Sequence, residues 1–272
     1  PKQYIEPFFG SGAVLLAAPG PAKLEVVGDL NFNVANFWRA VKYQPEAVAD
    51  AASYPVTHID LAARHVWLTR PARVADLQRR LMDPEWPGDA QIAGWWVWGQ
   101  CCWIGSGWCS KIPHVSSAGR GVQSQIPHVS DAGRGVQSQI PHVSDAGMGV
   151  QAWMRSLSAR LARVRVIHGD WTRMLNHHYG GDNTAIFFDP PYKRYERLYS
   201  QGDKPIADAV ADWARQHQRL RIALAGHVGD YDLPGWEVVR WTRKQMTYGG
   251  AKTRNLEALW FSPGCRRKGR AR

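Results

Sequence analysis

The spacing of apolar residues changes period twice along the chain. Tyr4-Ile-Glu-Pro-Phe8 reads as a strand running into the turn Gly10-Ser-Gly12, Ala13 to Ala18 as a helix start, and Leu24 to Asp29 as a second strand. Phe32, Ala35, Asn36, Phe37, Ala40 and Val41 then recur at helical spacing. From about residue 55 to 100 the pattern stays helical, with stripes at Leu61, His65 and Leu68 and again at Val74, Leu77 and Leu81. Beyond residue 152 the alternation of elements returns. Trp153, Met154, Leu157 and Leu161 mark a helix, 164–168 and 185–189 strands, and Ile206, Val210 and Trp213 a helix. Strands follow at 221–226, 236–241 and 256–261. Seven strands in this order predict an α/β fold with an open, mainly parallel sheet covered on both faces. The segment 51–152 then reads as a largely helical insertion between the two parts of one domain, 1–50 and 153–265, with a basic tail at 266–272.

Inside the insertion, 112–151 repeats itself with a period of 14 residues, as Ile112-Pro-His-Val-Ser, Ile126-Pro-His-Val-Ser and Ile140-Pro-His-Val-Ser. Each copy carries a proline and two glycines, which excludes a continuous helix and predicts an elaborated loop of turns and short strands. Arg120 and Arg134 sit between glycines in the first two copies, and Met148 takes that place in the third. Gly-Arg-Gly turns suit contacts to a nucleic-acid backbone or base. Passive duplication in a tolerant loop explains the same pattern, because long insertions cost little closure entropy. His114, His128 and His142 recur once per copy, but a ligand spacing of 14 matches no usual zinc motif.

Composition narrows the class. A chain of 272 residues with 44% hydrophobic residues and 14 Trp can bury its own core, which excludes a disulfide-held miniature fold and a disordered chain. Four cysteines, Cys101, Cys102, Cys109 and Cys265, form no CxxC pair, so we expect reduced thiols, no metal and a cytoplasmic protein. The charge-free stretch from Ile92 to Ser110 is broken by glycines and rich in Trp rather than aliphatic residues, which speaks against a membrane span. Lys and Arg exceed Asp and Glu by 34 to 23, and five of those cations sit at 266–272. The remaining surplus favours a polyanionic partner.

Two turns carry the candidate chemistry. Gly10 and Gly12 lie where a parallel strand enters a helix, and there glycines let a ligand approach backbone N–H groups. Asp29 ends the next strand, where its carboxylate suits the two hydroxyl donors of a ribose; capping the helix that begins near Asn31 is the competing role. The second turn is Asp189-Pro190-Pro191-Tyr192, after an apolar strand. Proline locks the main chain, so the Pro190 carbonyl and the Asp189 carboxylate both aim acceptors at one point, as an exocyclic amine with two N–H donors requires. Tyr192 offers a face for a planar base, an interaction worth about 1–3 kcal/mol in single-stranded nucleic-acid sites.

Taken together, Tyr4-Ile-Glu-Pro-Phe-Phe-Gly-Ser-Gly, Asp29-Leu-Asn and Asp189-Pro-Pro-Tyr, in that order, resemble the DNA adenine methylase-type N6-adenine DNA methyltransferases, especially phage and prophage members. The likeness covers 1–50 and 160–265, including the closing Leu259-Trp-Phe-Ser-Pro263 strand. It implies a Rossmann-like, seven-stranded, S-adenosylmethionine-dependent methyltransferase sheet, a target-recognition region in the insertion, and in some settings a paired restriction enzyme. It also implies that Glu6, Pro7, Phe8, Gly10, Gly12, Asp29 and Asn31 hold S-adenosylmethionine, with Asp170 facing its adenine; the competing role of Asp170 is to cap a short helix at 172–175. The family's Gly-Gly-Lys segment, expected some tens of residues before Glu6, is not in the sequence, and a further N-terminal piece is expected to supply it.

The resemblance implies transfer of a methyl group to adenine N6 in DNA by in-line displacement, with Asp189, Pro190, Pro191 and Tyr192 at the reacting base. The base is either flipped from a duplex or already single-stranded. Lys193, Arg194 and Arg197 after this turn, and Arg243, Lys244, Lys252 and Arg254 before the last strand, are candidates to bind phosphates, with a solvated charged loop as the alternative. Methylation of cytosine N4 or of RNA, and a catalytically impaired nucleic-acid-binding remnant, are the competing functions.

Overall fold

The computed structural model describes residues 1–103, 108–109, 149–175, 183–193, 206–243 and 255–265. Within them the strands are β1 (Gln3–Glu6), β2 (Leu24–Asp29), β3 (Val164–His168), β4 (Thr184–Phe188), β5 (Arg221–His227), β6 (Glu237–Arg243) and β7 (Asn255–Phe261). The α-helices are α1 (Ala13–Ala17), α2 (Phe32–Tyr43), α3 (Pro45–Ala52), α4 (His58–Leu68), α5 (Pro71–Leu81), α6 (Ala90–Cys102), α7 (Val150–Leu161) and α8 (Ile206–Gln216), with a 3₁₀ turn at Trp171–Met174. Each strand falls within two residues of its expected place. The seven are ordered β3-β2-β1-β4-β5-β7-β6.

The sheet is mixed. β1 pairs in parallel with β2 and β4, and β4 with β5, whereas β7 runs antiparallel to both β5 and β6. From β1 the chain builds outward through β2, then returns to lay β4 on the other side of β1. That reversal makes the carboxyl ends of β1 and β4 a topological switch point, where loops diverge and leave a crevice.

The chain forms two compact units. The first comprises Pro1–Asp29 and Gly169–Arg272, the second Leu30–His168. In the first, Ile5, Ile186 and Phe188 are buried in the central strands, with Val26, Ile222 and Leu224 beside them. Phe188 meets the ring edges of Trp213 from α8 and Trp171 from the 3₁₀ turn. Ser262, following β7, donates to the Leu220 carbonyl and accepts from the Ile222 N–H.

The second unit is helical around an aromatic core. Pro45 at the first position of α3 ends α2 at Gln44, a break the apolar spacing does not show. Helices α3 and α6 pack closely because position 94 is glycine: a Cβ there would lie 2.4 Å from Ala51 Cβ and 2.7 Å from the Val48 carbonyl. Asn36 of α2 donates to the Asp89 carbonyl and accepts its N–H, and Asp89 caps α6 through the Ile92 N–H. Buried Arg39 donates to the carbonyls of Val166 and Asp83, and burial lowers its pKa. Arg64 lies over the rings of Tyr54, Trp98 and Trp95 and pairs with Asp60. Of the expected stripes, Leu61, His65, Leu68, Leu77 and Leu81 are buried and Val74 is half-buried. On α7, Met154, Leu157 and Leu161 are buried and Trp153 is half exposed.

Helix α6 covers the first part of the charge-free stretch, and no described helix is long and apolar enough to cross a membrane. Burial pushes the Cys102 and Cys109 thiols up to about 12. Among the described residues no group of His, Cys, Asp or Glu is arranged to hold a metal ion.

Candidate functional site

The first unit carries both chemical turns at the carboxyl ends of neighbouring parallel strands. After β1 the chain turns sharply: the Phe9 N–H donates to the Gly28 carbonyl and the Gly12 N–H to the Phe9 carbonyl. Gly10 and Gly12 both take positive φ, 43° and 67°, which side-chain-bearing residues rarely adopt. Around Gly10 nothing lies within 4 Å of where a Cβ would stand, so the turn is open to a ligand. The Gly10 N–H donates to Asp29 Oδ2 at 2.9 Å, which fixes the Asp29 carboxylate against the glycine turn. Asp29 therefore belongs to the turn, and the capping of α2 falls to Asn31, whose Oδ1 accepts the Asn33 N–H at 2.9 Å.

The other expected cofactor residues divide by environment. Pro7 is buried, and Phe8 is half-buried with its ring 6.4 Å from that of Phe188. Glu6, at the end of β1, is only 2% exposed. Tyr4 Oη donates to Glu6 Oε2 at 2.7 Å, and the Leu15 N–H also bonds its carboxylate. Burial outweighs these bonds, and with repulsion from Asp189 it raises Glu6 to about 7. Asp170 is exposed and caps the 3₁₀ turn, accepting the Thr172 N–H at 3.0 Å and the Thr172 hydroxyl.

Asp189 follows β4 directly, with Pro190 buried behind it and Pro191 and Tyr192 half-buried. Part of the Asp189 surface is open to solvent, yet the surrounding protein desolvates its carboxyl enough to raise its pKa. A hydrogen bond from Tyr192 opposes that shift and the charge of Glu257 adds to it. Asp189 thus feels the charges of two other carboxyl groups, Glu6 and Glu257. Native folds accept such like-charge crowding mainly where chemistry requires it.

A neighbour that the sequence does not single out is His227, at the end of β5. Its ring meets Tyr192 edge-on, with centroids 4.6 Å apart and planes at 76°. A lone histidine at a strand end carries no motif; only the pairing of β5 with β4 reveals it.

Of the expected phosphate-binding cations, Lys193 pairs with Asp208 at 2.5 Å and lies 5.6 Å from the centre of the Tyr231 ring. Its charge is therefore partly used within the protein. Arg243 ends β6. Arg120, Arg134, Arg194, Arg197, Lys244, Lys252 and Arg254 lie outside the described residues, as do His114, His128, His142 and most of the 14-residue repeats.

A cavity of about 570 Å³ opens within the second unit, lined in part by Gln44, Asp50, Tyr54, Asp89 and Trp95. It contains none of the residues singled out for chemistry. Its polar groups serve the fold, Gln44 bonding the Gly88 carbonyl and Asp89 capping α6.

Comparison with known proteins agrees with the switch-point geometry. No curated protein matches the chain. Residues 1–60 match the family model of the D12 class N6 adenine-specific DNA methyltransferases. The matched segment contains β1, the glycine turn, β2 and Asp29. The match makes this N-terminal part of the chain similar to the DNA adenine methylase-type, adenine-specific DNA methyltransferases, and the seven-stranded α/β sheet is consistent with that likeness.

Proposed function

We propose that the first unit binds S-adenosylmethionine at the glycine turn after β1 and transfers its methyl group to the N6 amino group of a DNA adenine held at Asp189. The observation that supports this most is the placement of the glycine turn and the Asp189 turn at the carboxyl ends of adjacent parallel strands, aligned through Ile5 and Ile186. The Glu6 and Asp189 charges sense each other across that gap.

The residues at the first turn fit the cofactor. Gly10 leaves open space for a ligand, and Asp29, fixed by the Gly10 N–H, brings an acceptor suited to a ribose diol. Glu6, Pro7, Phe8, Gly12, Asn31 and Asp170 complete the proposed surroundings. When bound, S-adenosylmethionine supplies an electrophilic methyl on a sulfonium. The protein's own task is then positioning and polarisation.

Asp189 and the Pro190 carbonyl accept the two amino hydrogens and align the nitrogen lone pair with the methyl carbon. S-adenosylmethionine held at the glycine turn would supply the methyl group, and Asp189 with the Pro190 carbonyl would hold the amino nitrogen toward it. The positive charge arriving on N6 makes its proton acidic, and Asp189 accepts it for release to water. Tyr192 supports the ring of a base flipped from the duplex or taken from a single strand.

The insertion 51–152 is the proposed target-recognition region, with Arg120 and Arg134 as contacts from its repeats. Lys193, Arg194, Arg197, Arg243, Lys244, Lys252 and Arg254 are proposed to bind phosphates, and a cytoplasmic setting fits a DNA-modifying enzyme.

Incubation with methyl-labelled S-adenosylmethionine and plasmid DNA, followed by digestion to nucleosides, tests the reading. N6-methyladenine supports it. N4-methylcytosine, label in RNA alone, or DNA retention without label overturns it in favour of the competing functions. Deletion of one 14-residue repeat is expected to change the rate or the sequence preference; unchanged values of both point to passive duplication.

A further inference from the structure

Tyr192 is held from two sides. Its hydroxyl bonds the Asp189 carboxyl, and its ring meets the ring of His227 nearly at a right angle. His227 is itself locked in place. Its N–H donates to Asp230 Oδ2 at 2.7 Å, the Asp230 N–H returns to the His227 carbonyl at 2.9 Å, and the Val228 N–H donates to the Leu256 carbonyl at 3.0 Å.

The residue before it has no room for a side chain. A Cβ at Gly226 would lie 2.6 Å from the Tyr231 ring and 3.2 Å from Asp230 Oδ2. Across the ladder His227 stands opposite Glu257, the carboxylate whose charge reaches Asp189. The His227 side chain is 18% exposed.

An edge-on aromatic contact constrains the tilt of the partner ring, because the positive rim of one ring is attracted to the negative face of the other. A base stacked on Tyr192 takes its plane from that ring. We propose that His227 is a positioning residue for the methyl acceptor: it fixes the plane of Tyr192, so that a base stacked there presents its amino group to Asp189 and the Pro190 carbonyl. This rests on the methyl-transfer reading above, and His227 itself touches no reacting atom in it.

Two readouts test the role in the full chain. The first is the carbon-13 resonance of the Tyr192 ring in ring-labelled protein, assigned by its loss in Tyr192→Leu. The second is steady-state methyl transfer to plasmid DNA. His227→Leu keeps the bulk but removes the ring, and His227→Phe keeps an aromatic edge. In His227→Leu the Tyr192 resonance shifts and kcat falls about two- to tenfold, with the KM for S-adenosylmethionine unchanged. In His227→Phe the resonance returns toward its original position and kcat recovers to within about twofold of wild type.

An unmoved Tyr192 resonance in His227→Leu overturns the proposal. So does an equal loss of kcat in the two variants, or a raised KM for S-adenosylmethionine, which marks a merely structural role. If the resonance shifts in His227→Leu but the wild-type chain forms no N6-methyladenine, the methyl-transfer reading is overturned instead, and the hold of His227 on Tyr192 stands.

Discussion

The two units differ in the kind of buried polar group they hold. In the second, Asn36 and Arg39 are matched to main-chain acceptors and donors that join α2 to the segments around Asp83, Asp89 and Val166. These groups stabilise, and removing one leaves its partners buried and unpaired. In the first, Asp189 feels the charges of both Glu6 and Glu257, and desolvation raises Glu6 to about 7 and Asp189 above its ordinary value. Such an arrangement costs stability, so its presence points to a task other than holding the fold. On the proposed reading, the crowded strand ends of the first unit carry the chemistry and the second unit supports the fold.

The largest stability effect expected from this contrast is at Glu6. Its folded pKa of about 7 lies above the ordinary glutamate value of 4.5, so the native state binds more protons between those values. Stability contributed by the protonated group is fully present below about pH 4.5 and is lost as pH rises through 7. By about pH 8 the penalty is on the order of 3 kcal/mol. Glu6→Gln, a neutral isostere, is expected to melt higher than wild type at pH 8 and to flatten the dependence of melting temperature on pH. Equal melting temperatures at pH 8 would remove the account of Glu6 as a carboxyl whose burial costs stability once it is charged.

A change of opposite sign is expected in the second unit. Asn36→Ala leaves the Asp89 N–H without its acceptor and is expected to destabilise by about 2 kcal/mol in urea unfolding. A neutral result there would blur the contrast between the units. Gly94→Ala, which drives a Cβ into Ala51 and the Val48 carbonyl, is expected to cost about 1–3 kcal/mol, read as a lower melting temperature. The smallest effect is at Gly10, where alanine meets no neighbour and only the positive φ resists it. A loss of about 1 kcal/mol is expected, with a larger relative loss of S-adenosylmethionine binding by calorimetry. Unchanged affinity would separate the glycine turn from the cofactor.

Much of the fold was legible because strand positions follow local spacing. Val164–His168 and Arg221–His227 could be found from apolar runs alone, as could the buried stripe of α4 and α5. Strand order could not, since the placement of β7 between β5 and β6 is set by non-local pairing that leaves no local period. Sequence also placed Asp29 and Asp189 at strand ends, but not what holds them. The Gly10–Asp29 bond, the capping role of Asn31 and the Tyr4–Glu6 bond join residues whose types are common in turns. His227 escaped notice because it becomes informative only when β5 lies beside β4. Asp170 shows the reverse: the helix-capping role readable from Asp-Trp-Thr is the one its carboxylate performs.

The central claim is that Asp189 accepts the amino group at the point of methyl transfer, and Asp189→Ala tests it most directly. With labelled S-adenosylmethionine and plasmid DNA, N6-methyladenine formation is expected to fall at least about a hundredfold. The melting temperature should stay the same or rise, and calorimetric binding of S-adenosylmethionine should persist. Methylation by Asp189→Ala at the wild-type rate would contradict the account.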